Sequence, residues 1–334
     1  MYGAAYPSTI LQEPLFFKAC AVYNYDMDMQ FGRPFTGRKL EELKAFLASL
    51  ELDYDDNVQF TVECLDDNGE IIAAGSLDGK IFKCIGVSED HQGEGLTATI
   101  ITELRKEAFA RGEDHLFLFT KPKNRLQFTD MAFFPIVSTK DVLLMESRKD
   151  AARKYAKSLA EPCEGEIGAI VMNANPFTEG HRYLIEKALE RVDLLHVFVV
   201  SEDRSYFSFA ERWKRVQEGT KDLDRVRLHE TKEYLISSVT FPTYFIKEKA
   251  RAEDVRCALD LAVFADVFAK EMGITVRYVG TEPLDPVTAR YNEIMKEVLP
   301  AKGIEVVEVP RLTINGEIVS ATKVRAALEA AKKQ

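Results

Sequence analysis

A hydroxyl, an imidazole and a glycine occur close together in the segment Asn175-Pro176-Phe177-Thr178-Glu179-Gly180-His181. Thr178 and His181 can donate hydrogen bonds, and Gly180 leaves room for a ligand to approach the backbone. The segment ends where a helix is predicted to begin, and the first N–H groups of a helix are unpaired and lie at the positive end of its dipole. These features suit a phosphate group. The plainer interpretation is a turn in which Thr178 caps an ordinary helix.

Two elements must position this turn. Ile167–Met172 is a short apolar run that contains β-branched residues, which is typical of a buried parallel strand. After Gly180 the apolar residues follow helical spacing, at Leu184, Ile185, Ala188, Leu189 and Val192. The sequence therefore predicts a strand, a turn and a helix in succession, with the polar side chains on the turn.

A second polar motif, Ser320-Ala321-Thr322-Lys323-Val324-Arg325, opens the last predicted helix. Thr-x-Gly-His followed by Ser-x-Thr-x-x-Arg resembles the paired signature of the nucleotidylyltransferase superfamily, in the order that the superfamily shows. The resemblance implies chemistry at the α-phosphate of ATP on a doubly wound parallel sheet, which is a Rossmann-like α/β fold.

Composition narrows the classes of protein. A chain of 334 residues favours two domains, and its formal charge of −10 argues against nucleic acid as a partner. No apolar run approaches the length that spans a membrane, and the first residues lack the pattern of a secretion signal. The five cysteines are scattered without a CxxC pair, which indicates reduced thiols in a cytoplasm and no metal site. We therefore expect a cytoplasmic protein with no membrane partner.

The N-terminal part combines an amphipathic helix, a strand meander and a glycine-rich turn before a helix, Gln92-Gly93-Glu94-Gly95. This order resembles the GNAT N-acetyltransferase fold, an α+β fold in which such a turn binds the pyrophosphate of coenzyme A. The resemblance implies that Gln92, Gly93 and Gly95 bind a CoA-like arm. Thr97 stands where the family has glycine or alanine, and the turn taken alone fits a plain helix cap equally well. In the family's later tyrosine-containing segment, Phe128 stands at the tyrosine position and Ala132 at the glycine position. Phenylalanine cannot donate a proton to a thiolate, so we expect arm binding without acetyl transfer.

The chain after this part alternates strands and helices, which predicts a parallel sheet. Residues 146–165 are highly charged and contain Pro162 and Gly165, and we interpret them as a linker. They separate a predicted CoA-arm-binding domain (1–145) from a predicted catalytic domain (166–334). Because ligands bind at the carboxyl ends of parallel strands, six residues at or after the ends of predicted strands should gather at that edge. They are Asn175, Thr178, His181, Ser201, Gly280 and Ser320.

A GNAT-like domain ahead of MNANPFTEGH resembles the [citrate (pro-3S)-lyase] ligase family over essentially the full length, including the stretch YLISSVTFPTYF at Tyr234–Phe245. The resemblance implies that acetate and ATP form acetyl-adenylate. The acetyl group then passes to the thiol of a CoA-like prosthetic group on the acyl carrier subunit of citrate lyase.

The same resemblance assigns roles to the motif residues. His181 and Thr178 are the expected catalytic residues at the α- and β-phosphates. The expected ATP-binding residues are Asn175, Gly180, Ser320, Thr322 and Arg325. Mg²⁺ should be bound through the phosphates, without protein ligands. Arg212 lies near the same edge, and the sequence fits two roles for it equally well: contact with phosphate and a surface ion pair.

Two other functions remain as alternatives. One is a nucleotide adenylyltransferase of cofactor biosynthesis with an appended acyl-CoA-binding domain, and the other is a GNAT acetyltransferase. Within the ligase interpretation, a related acyl carrier, such as that of a malonate decarboxylase, is a further alternative to the carrier of citrate lyase.

Overall fold

In the computed structural model, residues 28–203, 205–237, 249–283 and 285–332 are described. The first 27 residues of the predicted N-terminal domain, and residues 238–245 of the family-like stretch Tyr234–Phe245, lie outside this range. No helix in the described ranges is both long enough and apolar enough to cross a membrane.

The first part of the chain forms a seven-stranded sheet with the strand order β1-β2-β3-β4-β5-β7-β6. Its elements are β1 Asp28–Gly32, α1 Arg38–Ser49, β2 Phe60–Leu65, β3 Ile71–Asp78, β4 Ile81–Val87, α2 Leu96–Ala110, β5 Phe117–Thr120, α3 Arg125–Asp130, β6 Phe134–Ser138 and β7 Leu143–Glu146. All neighbours are antiparallel except β4 and β5, which run parallel and pair at Ile81↔Phe117 and Phe82↔Leu118. Beyond these two pairs, β4 and β5 are no longer paired, and a gap opens between them. This arrangement confirms the GNAT-like α+β fold.

The predicted linker contains a helix, α4, at Ala151–Leu159. Ala152 and Ala156 on this helix are buried, and Tyr155 donates a hydrogen bond to the Glu230 carbonyl oxygen at 2.7 Å. The charged segment therefore contains a helix with one buried face.

The rest of the chain forms a five-stranded, fully parallel sheet with the order β10-β9-β8-β11-β12. Its elements are β8 Ile167–Met172, α5 Glu179–Leu189, β9 Leu194–Val199, α6 Phe209–Thr220, β10 Val226–Glu230, α7 Lys249–Val263, a π-helical segment Phe264–Ala269, α8 Lys270–Met272, β11 Val276–Gly280, α9 Pro286–Val298, β12 Glu305–Val309, the small hairpin β13 Thr313–Ile314 and β14 Glu317–Ile318, and α10 Ala321–Lys332. The predicted doubly wound parallel sheet is confirmed. The strand order reverses between β8 and β11, and such a switch point opens a crevice at the carboxyl ends of the strands.

One hydrophobic core joins the two sheets. Phe117 and Leu144 of the first sheet share a buried cluster with Leu259, Phe264 and Phe268 of the long helix that precedes β11. Because this core is continuous, the domain boundaries at residues 145 and 165 stay predictions.

A buried carboxyl group in the first sheet should make stability depend on pH. Glu63 on β2 is 3% exposed, and no described residue forms a hydrogen bond with its Oε1. Burial raises the pKa of Glu63 to about 7, with a smaller contribution from repulsion by Glu42 and an opposing one from Lys39. The folded protein thus holds a proton that the unfolded chain releases near its ordinary pKa of about 4.3. The stability that this proton provides is complete below that pH and is lost as the pH rises through about 7.

We therefore expect Glu63→Gln to stabilise the fold at pH 8 by about 1–2 kcal/mol, because it removes a charge that is costly to bury. At pH 4 the two proteins should unfold at nearly the same temperature. Thermal unfolding at both pH values measures this difference, and an equal difference at the two values would show that Glu63 does not titrate in this range.

Candidate active site

The turn between β8 and α5 lies at the switch point of the parallel sheet. β8 ends at Met172, and Thr178 takes an extended conformation (φ −133°, ψ 168°) immediately before α5. The turn is anchored to the loop between β9 and α6, because Asn175 Oδ1 accepts a hydrogen bond from the Phe207 N–H at 3.1 Å. The start of α5 is therefore held at the crevice that the strand order creates.

His181 is fixed by this turn. Its Nδ1 accepts a hydrogen bond from the Thr178 backbone N–H at 3.1 Å and lies 2.8 Å from the Thr178 hydroxyl. The imidazole also stacks on the Phe177 ring, with the ring centres 5.6 Å apart. A backbone N–H can only donate, so neutral His181 carries its proton on Nε2. No described residue forms a hydrogen bond with Nε2, which leaves this donor for a ligand.

The environment keeps His181 neutral. Burial, and then the positive charge of Arg311, lower the pKa of His181 to about 4. At neutral pH the imidazole therefore acts as a hydrogen-bond donor without a positive charge. Arg311 follows β12 at the same edge, donates from Nε to the Thr281 carbonyl oxygen at 2.7 Å and pairs with Glu282. The motifs of the sequence do not include Arg311, and the one available signal was its position just after an apolar run that forms β12.

The second motif packs on the first. Ser320 is buried, and its hydroxyl accepts a hydrogen bond from the Lys323 N–H at 3.2 Å at the start of α10. Arg325 donates to the carbonyl oxygen of Asn175 and, at 3.0 Å, to the hydroxyl of Thr322. A Cβ atom at Gly180 would lie 3.5 Å from the carbonyl oxygen of Val319, the residue before the second motif, so the start of α5 and this motif are in close proximity.

All seven catalytic and ATP-binding residues predicted from the sequence thus belong to two motifs that touch. They are Asn175, Thr178, Gly180, His181, Ser320, Thr322 and Arg325. Thr178 and Arg325 already bond to other parts of the turn, so contact of either with phosphate stays a prediction.

Arg325→Ala should lower kcat/KM for ATP about 10- to 100-fold. The substitution removes both the bridge between the motifs and one charge that can face phosphate, a loss of a few kcal/mol at most. Steady-state kinetics with varied ATP measures the effect, and Arg325→Lys, which keeps the charge without the planar fork, should recover part of it. Unchanged ATP kinetics in the alanine variant would remove Arg325 from the site.

Three other residues near this edge make hydrogen bonds to other parts of the protein. Arg212 is fully buried and donates to the backbone carbonyl oxygens of Asn173, Val200, Phe207 and Glu202. Both interpretations of Arg212, phosphate contact and surface ion pair, are therefore wrong, and it holds the loop between β9 and α6. The Ser201 hydroxyl accepts a hydrogen bond from the N–H of Lys232, just after β10, at 2.9 Å. Gly280 has open space around its Cα, and its carbonyl oxygen accepts a hydrogen bond from Asn292.

A separate cavity of about 730 Å³ lies in the first part of the chain, where β4 and β5 have diverged. Gln92, Gly93 and Gly95 all line it, as predicted for one binding loop. Gly93 and Gly95 have φ values of 91° and 81°, a left-handed conformation that favours glycine. Phe128 also lines this cavity and presents an apolar ring. We call this cavity the arm groove.

The parallel sheet and the two joined motifs at its switch point define a nucleotidylyltransferase-type α/β enzyme, preceded by a GNAT-like domain. Residues 167–334 match the family model described as citrate lyase ligase C-terminal domain. The chain belongs to the citrate lyase ligase family, and it is accordingly an enzyme of the ligase class.

Two relatives cover most of the chain. The chain is similar to a [citrate [pro-3S]-lyase] ligase of Klebsiella pneumoniae, with 45% identity over 76% of this chain and 77% of the relative. It is also similar to the enzyme of the same name from Haemophilus influenzae, with 40% identity over 89% of this chain and 91% of the relative. Among solved structures, an acyl-CoA N-acyltransferase from Pseudomonas aeruginosa matches 36% of this chain and 99% of its own length, at 14% identity and a TM-score of 0.33. The GNAT-like assignment rests on the strand order of the first sheet.

Proposed function

We propose that the protein acetylates the thiol form of the citrate lyase acyl carrier, with ATP and acetate as substrates. The observation that carries this proposal is the free Nε2 donor of His181 in a crevice where two nucleotidylyltransferase motifs meet. Membership of the citrate lyase ligase family supports the choice of carboxylate and carrier.

The first step is a displacement at phosphorus. A carboxylate oxygen of acetate bonds to the α-phosphorus, the bond from that phosphorus to the bridging oxygen breaks, and pyrophosphate leaves with the electron pair. Such a step depends on positioning and on stabilising charge on phosphate oxygens more than on an acid or base. A preorganised neutral donor such as His181 Nε2, together with the N–H groups at the start of α5, fits this requirement.

The second step moves the acetyl group. The carrier thiol loses its proton to solvent, its sulfur bonds to the acetyl carbon, and AMP leaves with the electron pair of the broken carbon–oxygen bond. In this scheme the arm groove binds the CoA-like arm of the carrier, and Phe128 leaves it without the phenol that would make the groove an acetyltransferase site.

Mg²⁺ would be bound by the phosphates of ATP. Within the described residues, no group of three or more His, Cys, Asp or Glu side chains is arranged to hold a metal ion. A cation that keeps most of its waters and bridges phosphate oxygens fits this surface, and Mg²⁺ commonly binds in that way. Its role would be to neutralise charge as pyrophosphate departs.

A substrate comparison tests this function against its rivals. With ATP and Mg²⁺ present, we expect acetate and the carrier to yield AMP, pyrophosphate and acetylated carrier. Pyrophosphate release that requires a phosphorylated nucleotide in place of acetate would indicate a nucleotide adenylyltransferase. Acetyl transfer from acetyl-CoA without ATP would indicate a GNAT acetyltransferase. A malonate decarboxylase carrier that is acetylated faster than the citrate lyase carrier would reassign the partner.

A further inference from the structure

The mouth of the arm groove carries an exposed basic segment, residues 121–126, which we call the basic collar. Lys121 and Lys123 line the groove, and Arg125 and Leu126 lie on the first turn of α3 beside it. Leu126 is 77% exposed, the largest exposed fraction among the large apolar side chains of the described residues. A single exposed leucine is common on proteins, but this one adjoins a cluster of cations.

The three cations of the collar have no partners among the described residues. No described residue forms a hydrogen bond or ion pair with the side chain of Lys121, Lys123 or Arg125. Elsewhere many basic side chains are paired, as Arg191 is with both Glu166 and Glu305. The next acid along α3, Asp130, does not pair with the collar either.

The charge of the whole chain makes such a cluster significant. A formal charge of −10 repels an acidic partner over most of the surface. A local set of unpaired cations next to an exposed apolar side chain provides a surface where an acidic face can approach and bury apolar area. Because the collar borders the arm groove, a partner that docks there delivers a flexible arm directly into the groove.

We propose that the basic collar is the docking surface for an acidic face of the carrier domain, which positions its thiol arm for the groove. The proposal rests on the proposed function, since it takes the carrier as the partner. The collar contacts the protein part of the carrier through Arg125 and Leu126, while the groove receives the arm.

The test uses the full-length enzyme and two forms of the citrate lyase carrier, with and without its prosthetic arm. In the variant, Arg125→Glu is combined with Leu126→Ser, because neither side chain lines the groove. Isothermal titration should show that the wild type binds both carrier forms and that the variant binds the armless carrier roughly tenfold more weakly or worse. Binding by the wild type should also weaken as salt is added.

A matched control combines Lys157→Glu with Phe109→Ser. Lys157 is an exposed cation without a partner among the described residues, and Phe109 is an exposed apolar side chain remote from the collar in the sequence. This control should bind both carrier forms as the wild type does.

Equal affinity of the wild type and the collar variant for the armless carrier would overturn the proposal. A wild type that does not bind the armless carrier would overturn it too. A loss confined to the arm-bearing carrier would overturn it as well, because the collar would then contact the phosphates of the arm. Failure of the proposed function would appear separately, as a wild type without acetate-dependent ATP–pyrophosphate exchange.

Discussion

His181→Ala is expected to slow acetate-dependent ATP–pyrophosphate exchange by about 10²- to 10³-fold, the usual effect of losing one preorganised donor to a transition state. The lost donor is Nε2, which the Thr178 N–H holds in place through Nδ1. The variant should also lose about 1 kcal/mol of stability, since the imidazole takes part in capping α5. Exchange assays and thermal unfolding on the same protein measure the two effects.

A matched variant separates catalysis from capping. In His181→Asn the side-chain oxygen can accept the Thr178 N–H in place of Nδ1, but no donor reaches the position of Nε2. We expect this variant to be as inactive as His181→Ala and nearly as stable as the wild type. If activity instead follows stability in the two variants, His181 has a structural role. The pKa of His181 in the enzyme without ligand is lowered to about 4, so His181 stays neutral between pH 6 and pH 8. The rate difference between the wild type and His181→Ala should therefore be constant over this range.

Gly95→Glu is expected to abolish most acetyl transfer to the carrier while exchange between ATP and pyrophosphate continues. Gly95 lies on the loop that lines the arm groove, with φ of 81°, just before α2. A carboxylate there would repel and obstruct a pyrophosphate-containing arm. Comparing exchange rates with rates of carrier acetylation measures the separation of the two steps.

Gly95→Ala is the control for backbone strain. Any residue other than glycine is disfavoured at this φ by roughly 1–2 kcal/mol, so both variants share that cost. A Cβ at Gly95 would meet no atom within 4 Å, so alanine adds neither a clash nor a charge. The alanine variant should transfer acetyl groups much faster than the glutamate variant. Equal rates of transfer in the glutamate variant and the wild type would show that this loop does not bind the arm.

The parallel sheet was predictable because strand patterns, such as the apolar run Ile167–Met172, alternate with helical patterns. Strand β8, Ile167–Met172, has the bounds that its pattern predicts. The contact between the motifs followed from a general rule, since the carboxyl ends of parallel strands share one edge. The bond from Arg325 to Asn175, across 150 residues of sequence, is an instance of that rule.

Other features depend on contacts that periodicity does not encode. The long helix before β11 contains a π-helical segment at Phe264–Ala269 within the shared core. Strand β7, Leu143–Glu146, is buried on both faces, so it lacks the alternation that marks a half-buried strand. Arg212 resembles a surface cation in the sequence, and its burial becomes visible when the carbonyl oxygens around it are placed. The fold brings Arg311 close enough to His181 to lower the pKa of its imidazole, and the sequence alone does not show this proximity.

Acetyl-adenylate formation at the His181 site is measured by isotope exchange between ATP and pyrophosphate, catalysed by the wild-type enzyme with Mg²⁺ and acetate and with no carrier present. Formation of acetyl-adenylate needs no thiol, so label should enter ATP only when acetate is added, at a rate that saturates with acetate. Exchange that is independent of acetate, or that appears only when the carrier is present, would contradict an acetyl-adenylate formed at the His181 site.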